Sequence, residues 1–173
     1  MTTPRDNILS DISVLDLSQG VAGPFFAKLL AGWGAEVIKV EPPVTGDPTR
    51  SSEPLFGGSS ALFSYINTTK KSVTLDPEIP EHSQASKTLA ADCNILVESF
   101  PPGQMESLGL GYSALTEDNP GLIYVSVTPF GQTGPYSGYK GSDIVAQAAG
   151  ALMHTIGLPH KEPAERLAGP VSD

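Results

Sequence analysis

Histidine, cysteine and glycine-rich turns build much of the site chemistry found in proteins, and this chain arranges them in ways that exclude several familiar classes. Its three histidines, His82, His154 and His160, share no metal-ligand spacing with one another or with the single cysteine, Cys93. No C-x-x-C or H-x-x-x-H occurs, so the sequence offers no metal site. His154, beside Met153 in an apolar stretch, reads as a core histidine, and Cys93, just ahead of a strand, as a small buried hydrophobe. A G-x-S-x-G nucleophile elbow is absent, and so is the glycine-rich P-loop. One glycine pair is more suggestive. Gly20-Val21-Ala22-Gly23 precedes a helix, and Glu41 follows some twenty residues later, a partial match to the dinucleotide-binding fingerprint. The G-x-G core is missing, however, and Pro24 stands where a backbone N–H could face a phosphate. The spacing better suits a tight turn that packs a helix onto a sheet.

Chemistry carried by loops must be positioned by the elements between them, and the pattern alternates strand and helix. Residues 13–17 form a short apolar run bounded by turn formers, which predicts a buried strand. Pro24 opens a helix, where its missing N–H is harmless. Phe25, Phe26, Leu29 and Leu30 give that helix an apolar face, and Gly32 and Gly34 end it. Residues 36–40 are the next strand, so the unit is βαβ, parallel, with a right-handed crossover. A long Pro/Gly/Ser-rich loop over 41–58 follows, then a helix capped by Ser60 and running to 67, and a strand at 72–75. Helix 82–91, strand 94–97, a loop over 99–111 holding a short helix, helix 113–117 and strand 122–127 complete the regular part. A glycine-rich segment over 129–141 leads into an apolar helix over 142–155. The sum is a Rossmann-like, doubly wound α/β fold with a mostly parallel sheet. In such sheets ligands bind beyond the carboxyl ends of the strands, so the segments after Leu17, Val40, Leu75, Val97 and Val127 form the candidate rim.

Composition narrows the partners. The 173 residues carry 10 Lys+Arg against 19 Asp+Glu, a net charge of −9, which argues against nucleic acid and anionic membrane surfaces. The longest apolar stretch is interrupted by Lys28, and none approaches the ~18 residues of a membrane span. A single cysteine and an N-terminus without an apolar leader lead us to expect a cytoplasmic protein. The 18 glycines and 16 prolines exceed ordinary usage, so part of that load is expected in ordered binding loops. The last residues, Leu167-Ala168-Gly169-Pro170-Val171-Ser172-Asp173, read as a loop entering further structure.

The order of motifs then resembles one family. Val14-Leu15-Asp16-Leu17-Ser18, Ala22-Gly23-Pro24 and the run from Leu29 to Pro42 (Gly34-Ala35-Glu36-Val37-Ile38-Lys39-Val40-Glu41 within it) resemble the opening of the class III CoA-transferases, the CaiB/BaiF family. Gly46-Asp47-Pro48-Thr49-Arg50 is similar to the family's G-D-x-x-R, and Asn67-Thr68-Thr69-Lys70-Lys71-Ser72 with Leu75-Asp76 to its N-x-x-K-R-S-x-x-L-D. Leu96-Val97-Glu98-Ser99-Phe100-Pro101-Pro102-Gly103, then Asn119-Pro120-Gly121 and Phe130-Gly131-Gln132-Thr133-Gly134-Pro135, continue the resemblance in register.

The resemblance implies a fold, an activity and a set of residues. The chain would be the N-terminal part of a large Rossmann-like CoA-binding domain, residues 1–173, with the second, smaller domain and the C-terminal completion absent. On that basis we expect these residues alone to be poorly folded and inactive, and the full-length protein to be an interlocked homodimer. The implied activity is CoA transfer between an acyl-CoA and a small carboxylic acid, through an aspartyl-acyl anhydride and an aspartyl-CoA thioester. CoA and acyl-CoA are then substrates, and no permanently bound cofactor or metal is implied. Asp173 matches the nucleophilic aspartate. Val21 and Ala22 would flank CoA, Pro42 stands where some members have arginine, and Leu75 would line the adenine side. Ser99, Phe100 and Pro101 occupy the family's Asn-Phe-x, Ser107 replaces another arginine, and Lys140 matches a lysine suited to a charge-assisted phosphate contact. Because CoA is anionic, Lys39, Arg50, Lys70, Lys71 and Lys140 are the positive charges expected to be available to it. The family also contains α-methylacyl-CoA racemases, which carry G-H-D where this chain has Gly141-Ser142-Asp143; serine is no base near neutral pH without an activating partner, which favours transfer. A non-catalytic fragment is the remaining alternative.

Overall fold

The structure, a computed structural model, describes residues 7–156 in two compact units divided after Val127. In the first unit, strands β1 (Ser13–Asp16), β2 (Glu36–Glu41), β5 (Lys71–Thr74), β6 (Ile95–Glu98) and β7 (Ile123–Ser126) form one sheet in the order β5-β2-β1-β6-β7. Every pairing is parallel, and Asp16 lies opposite both Lys39 and Val97. The order reverses between β1 and β6, so the crevice beyond their carboxyl ends is the topological switch point. The doubly wound reading of the sequence is therefore correct.

Both sheet faces are covered, which is why the strands read as continuous apolar runs rather than alternating ones. Leu15, Leu17, Val40 and Leu96 pack on one side with Met105, Leu110, Leu115 and Leu122. Met105 comes from α4 (Gln104–Ser107), Leu115 from α5 (Tyr112–Asp118) and the other two from turns, while α3 (Pro80–Ala91) adds Ala90. Val14, Val37 and Val97 point the other way, onto Ala27 and Leu30 of α1 (Ala22–Gly32). The same two-residue alternation puts Asp16, Lys39 and Glu41 on the α1 side at the carboxyl end of the sheet. That end is therefore polar.

Several boundaries differ from expectation for identifiable reasons. Helix α1 begins at Ala22, so Pro24 is its third residue, still inside the first turn whose N–H groups lack intrahelical partners. Helix α3 starts at Pro80 rather than 82, the usual place for a helical proline. The segment expected as a loop over 41–58 is partly regular: a 3₁₀ turn at Pro48–Ser51 is capped by Asp47, and Leu55–Phe56 (β3) pairs antiparallel with Ser59–Ser60 (β4). Gly57 and Gly58, at φ 56° and 82°, supply the two left-handed residues such a hairpin turn needs. Helix α2 (Ala61–Ile66) follows, with the Ser60 hydroxyl accepting from Phe63 N as the cap reading required.

The second unit carries α6 (Asp143–Ala149) and α7 (Leu152–Ile156). A single helix over 142–155 was expected. The chain breaks at Gly150 and Ala151, the latter in the left-handed region at φ 61°. Among the described residues no helix is long and apolar enough to cross a membrane, and no group of three or more His, Cys, Asp or Glu is placed to hold a metal ion.

Candidate CoA-binding site

An open cleft lies at the carboxyl ends of the first unit's strands. Leu17 and Gln19 follow β1, Pro42 follows β2, Leu75, Asp76 and Glu78 follow β5, and Phe100 follows β6; all line it. Three residues singled out in the sequence, Pro42, Leu75 and Phe100, thus meet in one cavity. Gln19, Asp76 and Glu78 were not singled out, although each lies within four residues of a strand end, which was the available signal.

The other sequence candidates sit around this cleft or apart from it. The Ser99 hydroxyl accepts from Gln19 N at 2.9 Å and reaches the Gln19 carbonyl at 3.4 Å, tying the β1 and β6 loops together across the switch point. Pro101 is exposed, and its carbonyl accepts from Gln104 N at 3.0 Å, at the start of α4. Val21 and Ala22 open α1, with the Val21 carbonyl accepting from Phe25 N. Lys140 is exposed in the second unit, and Asp173 lies outside the described residues.

The partial dinucleotide fingerprint resolves into packing. A Cβ at Gly23 would stand 2.4 Å from both Cβ and Oγ of Ser18, so glycine is what lets α1 approach the end of β1. Glu41, the acidic residue in the fingerprint's ribose position, is buried and fully engaged. Arg50 donates to it through Nε at 2.6 Å and Nη2 at 2.9 Å, and the Asp47 N–H adds a third bond at 3.0 Å. Burial alone would raise the Glu41 pKa, but those Arg50 and Asp47 hydrogen bonds and the nearby Arg50 and Lys39 charges bring it below the ordinary glutamate value.

Most of the positive charge expected to serve an anionic ligand is likewise committed inside the protein. Lys39 is buried, pairs with Asp47 Oδ2 at 2.9 Å and donates to the Ser18 carbonyl at 2.8 Å. Lys70 is also buried and donates to Asp16 Oδ2 at 2.8 Å, the Pro24 carbonyl at 2.7 Å and Asn67 Oδ1 at 2.9 Å. Its desolvation outweighs the pull of Asp16 and lowers its pKa. Arg50 is held by Glu41 and stacks 3.9 Å from the Phe63 ring centroid, and Lys71 pairs with Glu36 on the surface. Three of the five cations thus hold loops in place, and a fourth, Lys71, is paired between strands on the surface. Sequence could not show this, because their partners Asp16, Glu36, Glu41 and Asp47 lie in other segments. The N–H-rich first turn of α1, the 3₁₀ turn and α2 are fastened by these pairs to the ends of β1 and β2.

Beneath the β6 side of the rim, Glu98 is buried at the end of β6. Its Oε2 accepts from Phe100 N at 2.7 Å, and burial raises its pKa against the opposing hydrogen bonds from Ser126 and Phe100. This carboxylate holds the backbone of a cleft-lining residue. Tyr124, which donates to the Leu110 carbonyl at 3.2 Å, is pushed up by burial and by the Glu98 charge.

A model of CoA-transferase family III matches residues 9–173. The chain belongs to this family. Human succinyl-CoA:glutarate CoA-transferase is 42% identical over 90% of this chain, and succinyl-CoA–D-citramalate CoA-transferase of Chloroflexus aurantiacus is 41% identical over the same share. The family member described here spans 36% and 39% of those two relatives, well under half of each. Among solved structures, Rv3272 of Mycobacterium tuberculosis superposes with a TM-score of 0.85 at 35% identity, covering 95% of this chain and 46% of that one. A CaiB/BaiF family protein from Brucella suis gives the same TM-score and identity over 98% of this chain and 45% of its own. The resemblance read from the motifs is thus correct, and the doubly wound fold is the family's fold.

Proposed function

We propose that the full-length protein transfers CoA from an acyl-CoA to a small carboxylic acid, and that Asp173 is the nucleophile. The observation that carries this reading is the family match running through to residue 173, among relatives named as CoA-transferases acting on succinyl-CoA with glutarate or citramalate. The Asp173 carboxylate attacks the thioester carbonyl, the C–S bond breaks, and CoA leaves as the thiolate, giving an aspartyl-acyl anhydride. Thiolate attack on the aspartyl carbonyl releases the donor acid and leaves an aspartyl-CoA thioester. The acceptor carboxylate attacks that thioester, and the freed thiolate then takes the new acyl group, restoring Asp173. The thioester bond energy is conserved throughout.

Within this reading the cleft takes the nucleotide end of CoA, with Leu75, Pro42 and Phe100 as its walls. Val21 and Ala22 flank the cofactor-sized substrate at the start of α1, Ser99 and Pro101 shape the β6 loop, and Lys140 makes a charge-assisted phosphate contact. The first unit supports a rigid site, because its loops are held by buried ion pairs. The protein works as a cytoplasmic homodimer, and residues 1–173 alone, the N-terminal part of the CoA-binding domain, are inactive. Racemisation is the weaker reading, since Ser142, the residue just ahead of α6, stands where a histidine would be needed and the Asp143 carboxylate accepts from Gln147 at 2.6 Å. Incubation of the full-length protein with succinyl-CoA and a panel of carboxylic acids tests the proposal. New acyl-CoA should form with no net release of free CoA; thioester hydrolysis alone, or deuterium wash-in at the α-carbon without transfer, would overturn it.

A further inference from the structure

His82 stands half-buried in the first turn of α3, and its imidazole meets the loop between β5 and α3, residues 75–79. Leu75, Asp76, Pro77 and Glu78 of that loop line the cleft. Asp76 N donates to His82 Nδ1 at 3.0 Å. A backbone amide can only donate, so Nδ1 carries no proton in this arrangement and Nε2 carries the single one. Within the loop, Glu78 N donates to Asp76 Oδ1 at 3.0 Å and Ile79 N to the Asp76 carbonyl at 2.9 Å. Those two bonds shape the turn. The His82 bond fixes it to α3, and a 3.2 Å bond from Gln104 Nε2 to Glu78 Oε1 fixes it to α4.

A proton added at Nδ1 sets two donors against each other across 3.0 Å, and the bond is lost. We propose that His82 is a pH-sensitive latch: its neutral imidazole holds residues 75–79 as a wall of the cleft, and its imidazolium releases them. Release takes up a proton, so it is favoured as pH falls. Histidine is the side chain whose ordinary titration spans pH 5 to 8, which puts the change within reach of a cell. The charged groups on the segments packed here are Asp76 and Glu78 on the loop, Glu81 and Lys87 on α3, and Glu106 on α4, whose end meets α3 through a 3.0 Å bond from Ser83 Oγ to the Leu108 carbonyl. Asp76 and Glu78 move with the loop, whereas the other three stay on their helices in either state. The far end of α3 is held separately, by Asn119 Nδ2 on the Ala90 carbonyl at 3.2 Å. The latch goes beyond the CoA-transferase reading and needs no particular ligand in the cleft.

Two measurements on the full-length protein test it without ligand. In ¹⁵N-histidine-labelled protein, the His82 resonances, assigned by their loss in His82→Asn, should show the Nε2–H tautomer near pH 8; an Nδ1–H tautomer overturns the proposal. Amide exchange over residues 74–80, read by mass spectrometry and corrected for the intrinsic effect of pH, reports the loop itself. Release linked to one proton grows by up to about tenfold per pH unit, so protection should fall by about tenfold between pH 6.5 and 5.5. His82→Asn keeps an acceptor oxygen near the place of Nδ1 but does not titrate, and its protection should change by less than about twofold. Constant protection in the unaltered protein, or the same tenfold loss in His82→Asn, overturns the latch. Kd for CoA, measured in parallel, keeps the two readings apart: it should rise over the same interval in the unaltered protein and less in the variant. A loop that loosens while CoA affinity stays constant defeats the CoA reading of the cleft and leaves the latch standing.

Discussion

Replacing Gly23 by alanine places a methyl group 2.4 Å from Cβ and Oγ of Ser18, where carbon atoms need about 3.5–4.0 Å. The Ser18 Cβ is fixed one bond from the backbone, and its hydroxyl is bonded to Asp16 Oδ1, so neither atom can swing aside. The start of α1 must lift by about 1 Å or more, loosening the Lys70 contact with the Pro24 carbonyl. Overpacking of this kind costs about 1–3 kcal/mol, and the better helix propensity of alanine returns at most about 1 kcal/mol. Urea unfolding of the full-length protein should therefore show a net loss of about 1–2 kcal/mol, with CoA binding weakened as the rim shifts. Ser18→Gly removes the obstructing atoms. Alone it forfeits the hydroxyl bond to Asp16, worth about 1 kcal/mol, but combined with Gly23→Ala it should give a loss smaller than the sum by at least about 1 kcal/mol. Gly20→Ala is the control: φ is +80° with open space around it, so its backbone cost of about 1–2 kcal/mol should show no coupling to Ser18. An unaltered Gly23→Ala protein, or zero coupling with Ser18→Gly, would refute the close-approach argument.

Lys70→Met should lose about 3–5 kcal/mol by leaving Asp16 buried without its cation, and adding Asp16→Asn should recover part of that; an exposed-pair loss below about 1 kcal/mol would contradict the burial of this ion pair. Glu98 has its folded pKa raised above the unfolded value of 4.5, so the native state holds the proton more tightly and this group's contribution is present below that pH and lost as pH rises through the folded pKa. The stability of Glu98→Gln relative to the unaltered protein should accordingly improve between mildly acidic and neutral pH, and a difference independent of pH would count against it. The Cys93 thiol is buried and pushed up to about 11, so iodoacetamide should label it slowly in the folded protein at pH near 8 and rapidly in denaturant. Equal labelling rates would mean that the strand-edge packing is wrong.

The fold was legible because both faces of a parallel sheet are covered, which leaves short apolar runs such as Val14-Leu15 and Ile95 to Val97 bounded by turn formers. Caps were legible where a side chain does the capping, as at Ser60. The hairpin at Gly57-Gly58 carried its own signal, a two-glycine turn between short runs, but sat inside a stretch whose proline content argued for loop. The break after α6 carried one local signal, Gly150 inside an apolar helical run, but the positive φ falls on Ala151, a residue type that seldom adopts it. At the site, topology points only to the segments beyond the strand ends, and it is the family resemblance that names Pro42, Leu75 and Phe100 within them. The fate of Lys39 and Lys70 was hidden, because whether a lysine meets a ligand or a buried carboxylate depends on partners brought in from distant segments.

The proposed transfer turns on a single carboxylate, that of Asp173. Full-length protein incubated with an acyl-CoA and then with hydroxylamine should yield a hydroxamate at Asp173, located by mass spectrometry, and Asp173→Ala should give neither the adduct nor CoA transfer. Transfer that persists in Asp173→Ala, or an adduct at any other residue, would contradict the assignment.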